Sequence, residues 1–309
     1  LIVEEGTMID ASKAGMRGET PRIAPAGGRH PEVVRTIADL RARVLDWRRR
    51  GETTAMVPTM GALHEGHLSL VREGFRRADH VVVTIFVNPT QFAPHEDFQS
   101  YPRTEAHDLE LLTGLSADLV FAPNAAEMYP LGFATRIEPQ GAALGLETEF
   151  RPHFFGGVAT VVAKLLLAGL PDIAIFGEKD FQQLAVVRQM VRDLNIPTEI
   201  VGAPTMREAD GLALSSRNAY LTAGERAAAP ILYATMTDAA RRIRAGEPAA
   251  TVLAEGTAAI LDAGFDKVDY LTLRDAASLE AVEHVSREPL RLLVAAWIGR
   301  TRLIDNIAV

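Results

Sequence analysis

A chain of 309 residues is long enough for two domains of ordinary size, and 48% hydrophobic content is what packed cores need, so a folded chain is expected in place of a disordered one. No stretch reaches the roughly 18 consecutive apolar residues of a membrane span, and the richest run, residues 158–170, carries Lys164 in its middle, so a soluble protein is expected. Lys and Arg total 32 against 40 Asp and Glu, and this net charge of -8 argues against a broad nucleic-acid surface while leaving room for a local basic pocket.

Residues 1–30 combine Glu, Gly and Pro without periodicity and lack the basic start and apolar run of a signal peptide, so they read as a mobile extension. Val33, Ile37, Leu40, Val44 and Trp47 recur at helical spacing and stop before Gly51, which predicts an amphipathic helix with a glycine cap. Residues 54–57 read as a strand, 58–66 as a turn-forming stretch, 67–78 as a helix and 81–87 as a buried strand. The alternation continues with helices near 104–115, 158–168 and 181–194, and with strands near 118–121, 173–176 and 198–201. Alternating helices and short apolar strands predict an α/β fold, a Rossmann-like parallel sheet covered on both faces.

Beyond Pro204 the pattern changes. Thr222 and Glu225 have capping-box spacing before an Ala-rich helix, a second helix covers about 249–263, and strands are expected at 268–273, 292–298 and 302–307. Grouped helices and strands predict a smaller α+β domain, giving an extension at 1–30, a sheet domain at 31–205 and a C-terminal domain at 206–309.

Three segments carry chemistry. PTMGALHEGH, residues 58–67, follows the first sheet strand and opens a helix, where loop amides and a helix N-terminus present positive potential to phosphate. His64 and His67 flank Gly66, so both imidazoles can face one phosphate chain and donate hydrogen bonds to charge developing there. Two surface histidines, or a metal pair, are the competing readings. FGEKD, residues 176–180, lies at another strand end, where Lys179 can hold a phosphate as a point charge; a solvated helix start is the alternative. MREADGLALSSRN, residues 206–218, puts Ser215, Ser216 and Arg217 at the domain junction, suited to a triphosphate beneath a closing loop or, more plainly, a Ser-rich turn. The absence of cysteine removes thiolate nucleophiles, disulfides and cysteine metal sites and fits a reducing compartment, with the cytoplasm as the expected location.

Together with VNPTQF at 87–92, YPRT at 101–104, GEKDFQQL at 177–184 and DGLALSSRN at 210–218, these segments resemble the pantothenate synthetase family, within the HxGH nucleotidyltransferases. The resemblance runs from about residue 34 to the C-terminus. It implies that ATP activates pantoate as an acyl adenylate, which β-alanine then attacks, with Mg2+ accompanying ATP. It implies an ATP site formed by Met60, Gly61, Ala62, Leu63, His64, Glu65, Gly66 and His67, by Gly177, Glu178, Lys179 and Asp180, and by Met206, Leu214, Ser215, Ser216 and Arg217. Among these, His67 takes the proton-donor role, beside His64, while Lys179, Ser215, Ser216 and Arg217 hold phosphate. Gln91 and Gln183 match pantoate-binding glutamines, with Asn88 a polar neighbour and Met60 and Phe92 an apolar wall.

Members of the family commonly read RPxHFxGV where this chain has RPHFFGGV, residues 151–158. Phe154 holds the usual histidine position, His153 sits one place earlier, and Arg151 keeps the arginine position. The resemblance also implies a homodimer with small-molecule substrates only. Another HxGH nucleotidyltransferase, or a nucleotide-binding regulator without catalysis, are the competing functions; product formation from pantoate and β-alanine separates them.

Overall fold

The computed structural model describes residues 28–92, 98–99, 101–282 and 289–309, so most of the extension expected at 1–30 lies outside the described residues. A parallel six-stranded sheet is built from β1 (Glu32–Val34), β2 (Thr54–Thr59), β3 (His80–Ile85), β4 (Leu119–Phe121), β5 (Ile173–Gly177) and β6 (Glu199–Ala203), in the order β1-β4-β3-β2-β5-β6. Helices α1 (Ile37–Arg49), α2 (Glu65–Arg77), α3 (Glu105–Gly114), α6 (Phe154–Gly169) and α7 (Phe181–Asp193) connect the strands, with short helices α4 (Ala125–Met128) and α5 (Glu147–Phe150) in the long β4–β5 crossover. Two apolar clusters on the sheet make the core: one joins Leu40, Met56, Phe121, Phe155 and Leu166, the other Val57, Leu68, Val71, Val83 and Leu112. This is the Rossmann-like α/β architecture expected of alternating strands and helices.

After β6 come α8 (Ala223–Ala228), α9 (Ile231–Arg244) and α10 (Ala249–Asp262), then an antiparallel sheet of β7 (Lys267–Asp275), β8 (Leu290–Ile298) and β9 (Thr301–Ala308). Its own core gathers Leu232, Met236, Ile260, Val294 and Leu303, while Leu279 and Leu293 reach into the core of the larger sheet.

The structure corrects several local readings. Val33 belongs to strand β1, paired with Val120, because Thr36 starts α1 by accepting the backbone N–H of Asp39 at 3.1 Å. The Ala-rich helix is two helices, broken where α8 ends at Ala228 and Pro230 precedes α9; Pro230 has no N–H to give to a continuing helix. Finally, α6 begins at Phe154, four residues before the expected start.

Strand β2 also runs past its expected end to Thr59, through Pro58. Proline is tolerated there because pairing with β5 covers only Ala55 and Met56. Beyond them the two strands part company.

Candidate active site

From β2 the chain steps through β3 and β4 to one side, and its next strand, β5, lies on the other side of β2. Such a switch point opens a crevice at the carboxyl ends of the two strands. Here it is a cleft of about 1070 Å³ lined by residues of both strand ends, the 204–220 segment and the inner face of the C-terminal sheet.

The loop after β2 turns sharply: Gly61 and Ala62 both have positive φ, 79° and 49°. His64 then caps α2 by accepting the backbone N–H of Gly66 on Nδ1 at 3.1 Å, and the backbone N–H of His64 donates to Nδ1 of His67 at 3.3 Å. Both Nδ1 atoms are therefore acceptors, which assigns the proton of each neutral ring to Nε2. The rings lie 4.1 Å apart on the cleft wall. Burial, and then the neighbouring His64, push the His67 pKa down to about 3, while burial and Lys179 lower that of His64; Asp180 acts in the opposite direction on both. The two imidazoles are thus neutral N–H donors at neutral pH.

Lys179 stands on the opposite strand end, in a 3-10 turn, with Nζ 3.7 Å from Asp180. Residues 206–214 form a narrow hairpin closed by hydrogen bonds from Leu214 N to Met206 O at 2.9 Å and from Glu208 N to Leu212 O at 2.8 Å. Gly211 makes its turn at φ 93°, where a Cβ would lie 2.4 Å from the Tyr233 ring. Arg226 ties the hairpin down through Glu208 and Asp210, at 2.8 and 2.6 Å. Directly after it, Ser215 caps a 3-10 turn over Ser216–Tyr220 through the backbone N–H of Arg217, so Ser215, Ser216 and Arg217 all reach the cleft.

On the other side of the histidines, Gln91 donates from Nε2 to Met60 Sδ at 3.0 Å, and both face the cleft with Gln183, Arg151 and Phe154. Asn88 stands behind Gln91: its Nδ2 donates to Gln91 Oε1 and Gly157 O, and its Oδ1 accepts from Tyr129 and Thr90. It is 1% exposed and off the cleft wall, and its amide supports Gln91. Arg151 donates to Gln91 O at 3.3 Å and stacks 3.9 Å over the Phe154 ring; the aromatic at the unusual position gives the guanidinium a platform.

Met60, Gly66, Gly177, Asp180, Met206 and Leu214 also line the cleft. Five other residues expected around ATP do not. Gly61, Ala62 and Leu63 form the turn behind the histidines, Glu65 pairs with Arg72 on the surface, and Glu178 faces Arg291 at 3.0 Å. Leu63 packs into the core and the two glutamates have arginine partners, while the tight 61–63 turn exposes only some of its residues to one cavity.

The model of the family described as pantoate-beta-alanine ligase matches residues 32–308. This chain belongs to the pantoate-β-alanine ligase family. It is 58% identical over 282 residues to the pantothenate synthetase of Rhodopseudomonas palustris strain HaA2, covering 91% of this chain and 99% of that one. It is 55% identical over 281 residues to that of Caulobacter vibrioides, covering 90% and 99%. Among solved structures, pantothenate synthetase from Thermus thermophilus superimposes with a TM-score of 0.84 at 45% identity, covering 89% of this chain and 98% of that chain. The ligase of Francisella tularensis, complexed with beta-gamma ATP and β-alanine, gives 0.75 at 35% identity, with 90% and 97% covered. The chain is accordingly an ATP-using ligase of pantothenate biosynthesis.

For a member of this ligase family, several residues around the cleft escape sequence reading. Glu147, on α5, accepts two hydrogen bonds from Arg302 at 2.7 and 2.8 Å and one from Tyr270 at 2.7 Å, joining the two sheets across the cleft. Asn306 donates to the carbonyls of Glu178 and Lys179 at 2.9 and 2.8 Å and so fixes the lysine turn from β9. Asp108 holds the turn at 61–63. The buried Gln182, bonded to Ala142 and Gly145 carbonyls, anchors α7 so that its neighbour Gln183 faces the cavity. Only the Gly156-Gly157 pair left a local trace: a Cβ on Gly157 would stand 2.4 Å from Thr90 O, so α6 needs glycine to approach the Gln91 turn.

Proposed function

We propose that this chain condenses (R)-pantoate with β-alanine through a pantoyl adenylate held in the cleft between β2 and β5. The observation that carries the reading is the histidine pair, held as two Nε2–H donors on one wall of a cleft that also contains Lys179, Ser215, Ser216 and Arg217. A free carboxylate is a poor acyl donor. Attack of a pantoate carboxylate oxygen on the α-phosphorus breaks the bond to the β-phosphate and releases pyrophosphate. The β-alanine amine then attacks the acyl carbon, AMP leaves, and the amine proton is lost to give the amide. Neither step needs a covalent protein nucleophile; both need alignment and neutralisation of phosphate charge.

In this reading the phosphates lie against His64, His67, Lys179, Ser215, Ser216 and Arg217, with Met60, Gly66, Gly177, Asp180, Met206 and Leu214 bordering the nucleotide. The protein supplies hydrogen bonds from neutral imidazoles and full positive charge from Lys179 and Arg217. Gln91 and Gln183 take the hydroxyls and carboxylate of pantoate, with Met60 and Phe92 against its dimethyl carbon and Arg151 at the rim.

Among the described residues no three His, Asp or Glu side chains gather as a metal cage. Mg2+ would enter with ATP, since this ion keeps phosphate and water ligands and needs one or two carboxylates at most; bound there, it would neutralise phosphate charge. Asp180 is the carboxylate within the phosphate wall. The unit at 206–309 serves as the lid over the sheet domain at 31–205. No helix among the described residues is long and apolar enough to cross a membrane. A cytoplasmic homodimer completes the proposal.

Incubation with ATP, Mg2+ and pantoate, with and without β-alanine, tests it. Pyrophosphate stoichiometric with enzyme should form without β-alanine, and AMP and pantothenate should appear together when it is added. AMP release that keeps pace with pyrophosphate in the absence of β-alanine would refute a retained adenylate.

A further inference from the structure

The turn that delivers His64 is moulded on a single carboxylate. Asp108 lies in the first turn of α3 and is completely buried. Its Oδ2 accepts the backbone N–H of Ala62 at 3.0 Å and its Oδ1 that of Leu63 at 2.9 Å. The Thr104 hydroxyl donates to Oδ1 at 3.2 Å. Gly61 packs directly on the same group: a Cβ there would stand 3.0 Å from Oδ2 and 3.2 Å from Ile85.

Ala62 adopts φ 49°, a conformation that costs an L-residue about 1 kcal/mol or more. The turn persists because the surroundings reward it. Two successive N–H groups, one of them on the buried Leu63, converge on two oxygens of one charged acceptor, and charge-assisted bonds of this kind are the strong ones. An amide cannot replace the carboxylate, for it offers one acceptor oxygen and turns an NH2 toward the second N–H. The next residue is His64, whose own N–H fixes the His67 ring. The order of support therefore runs from Asp108 to the 61–63 turn, to the His64 backbone, to both imidazoles.

We propose that Asp108 is a positioning residue for adenylate formation, setting the two imidazoles through the 61–63 turn without touching substrate. This rests on the reading that His64 and His67 face the ATP phosphates. Small displacements of aligned groups are expensive in rate, on the order of a hundredfold for about 1 Å.

The test compares three variants in single-turnover pyrophosphate release, with each rate referred to folded protein. Asp108→Asn should slow release by about ten- to a hundredfold and leave the KM for pantoate within about twofold. Thr104→Val removes the third bond to the same carboxylate but neither turn bond, so it should lower Tm and keep the rate within about twofold. A normal rate in Asp108→Asn, beside a slowed His67→Ala, overturns the proposal and spares the histidine reading. A normal rate in His67→Ala overturns that reading, and the proposal with it. Should Asp108→Asn fail to fold, amide exchange in the unaltered protein decides: the Ala62 and Leu63 N–H groups are expected to be protected as core amides are, and exchange as fast as an open loop rejects the clamp.

Discussion

His64 and His67 owe their chemistry to what their Nδ1 atoms do. Each accepts a backbone N–H of the helix cap, so each is left with a donor on Nε2 and no driving force to take a second proton at neutral pH. Full positive charge comes instead from Lys179 and Arg217. Replacing His67 with Ala is expected to slow pyrophosphate release about a hundredfold while ATP affinity changes far less, because the donor matters most as charge develops; an unchanged single-turnover rate contradicts the role. A second consequence concerns stability. The folded His67 pKa of about 3 lies below its usual 6.5, so between these values the unfolded chain binds the extra proton. The associated stability is complete above pH 6.5 and is lost as pH falls toward 3, by about 2 kcal/mol at pH 5. In His67→Gln the loss of stability from pH 7 to pH 5, measured by urea unfolding, should shrink by that amount; an equal loss in both proteins argues against a neutral imidazole in the folded protein. The histidines were legible because their spacing, the intervening glycine and the helix start are all local. Asp108 was not, since it meets Leu63 from 45 residues away and nothing near it in the chain marks it out.

At the scale of elements, the approach of α6 to the 3-10 turn at Pro89–Gln91 sets the side of the cleft proposed to take pantoate. Gly157 permits it, and its carbonyl accepts from Asn88, which in turn orients Gln91. Gly157→Ala forces Cβ against the Thr90 carbonyl and is expected to cost about 1–3 kcal/mol, raising the KM for pantoate more than that for ATP. Equal changes in both constants, or none, would show that the turn does not depend on this contact. Most elements could be read from periodicity, because α1, α2 and α7 carry amphipathic patterns and the central strands are short apolar runs bounded by turn residues. Strand β1 could not: three residues, EVV, give too little alternation to be told from the helix that follows. The break between α8 and α9 was hidden by a run of alanines that suits either one helix or two, although Pro230 marks it.

Across the whole molecule, the C-terminal sheet meets the larger one through polar contacts at both ends of β9. Asn306 holds the Lys179 turn, and Arg302 holds Glu147, which is 6% exposed and also accepts from Tyr270. Removing one partner of such a buried pair leaves the other charge without compensation. Glu147→Ala is therefore expected to lower the unfolding free energy by about 3–5 kcal/mol, and to expand the molecule in solution scattering; an unchanged radius and stability would show that the contact does not join the two units. Sequence patterning reached the change from a parallel sheet to an α+β arrangement, but not these contacts, since Glu147 and Arg302 each read as ordinary charged residues until folding sets them side by side. The proposed adenylate bonds one carboxylate oxygen of pantoate to the α-phosphorus of ATP. Pantoate carrying heavy oxygen in its carboxylate tests this directly when turned over with ATP, Mg2+ and β-alanine. Transfer of one labelled oxygen into each AMP is the result the adenylate route requires, and unlabelled AMP, or ADP with labelled phosphate, would contradict it.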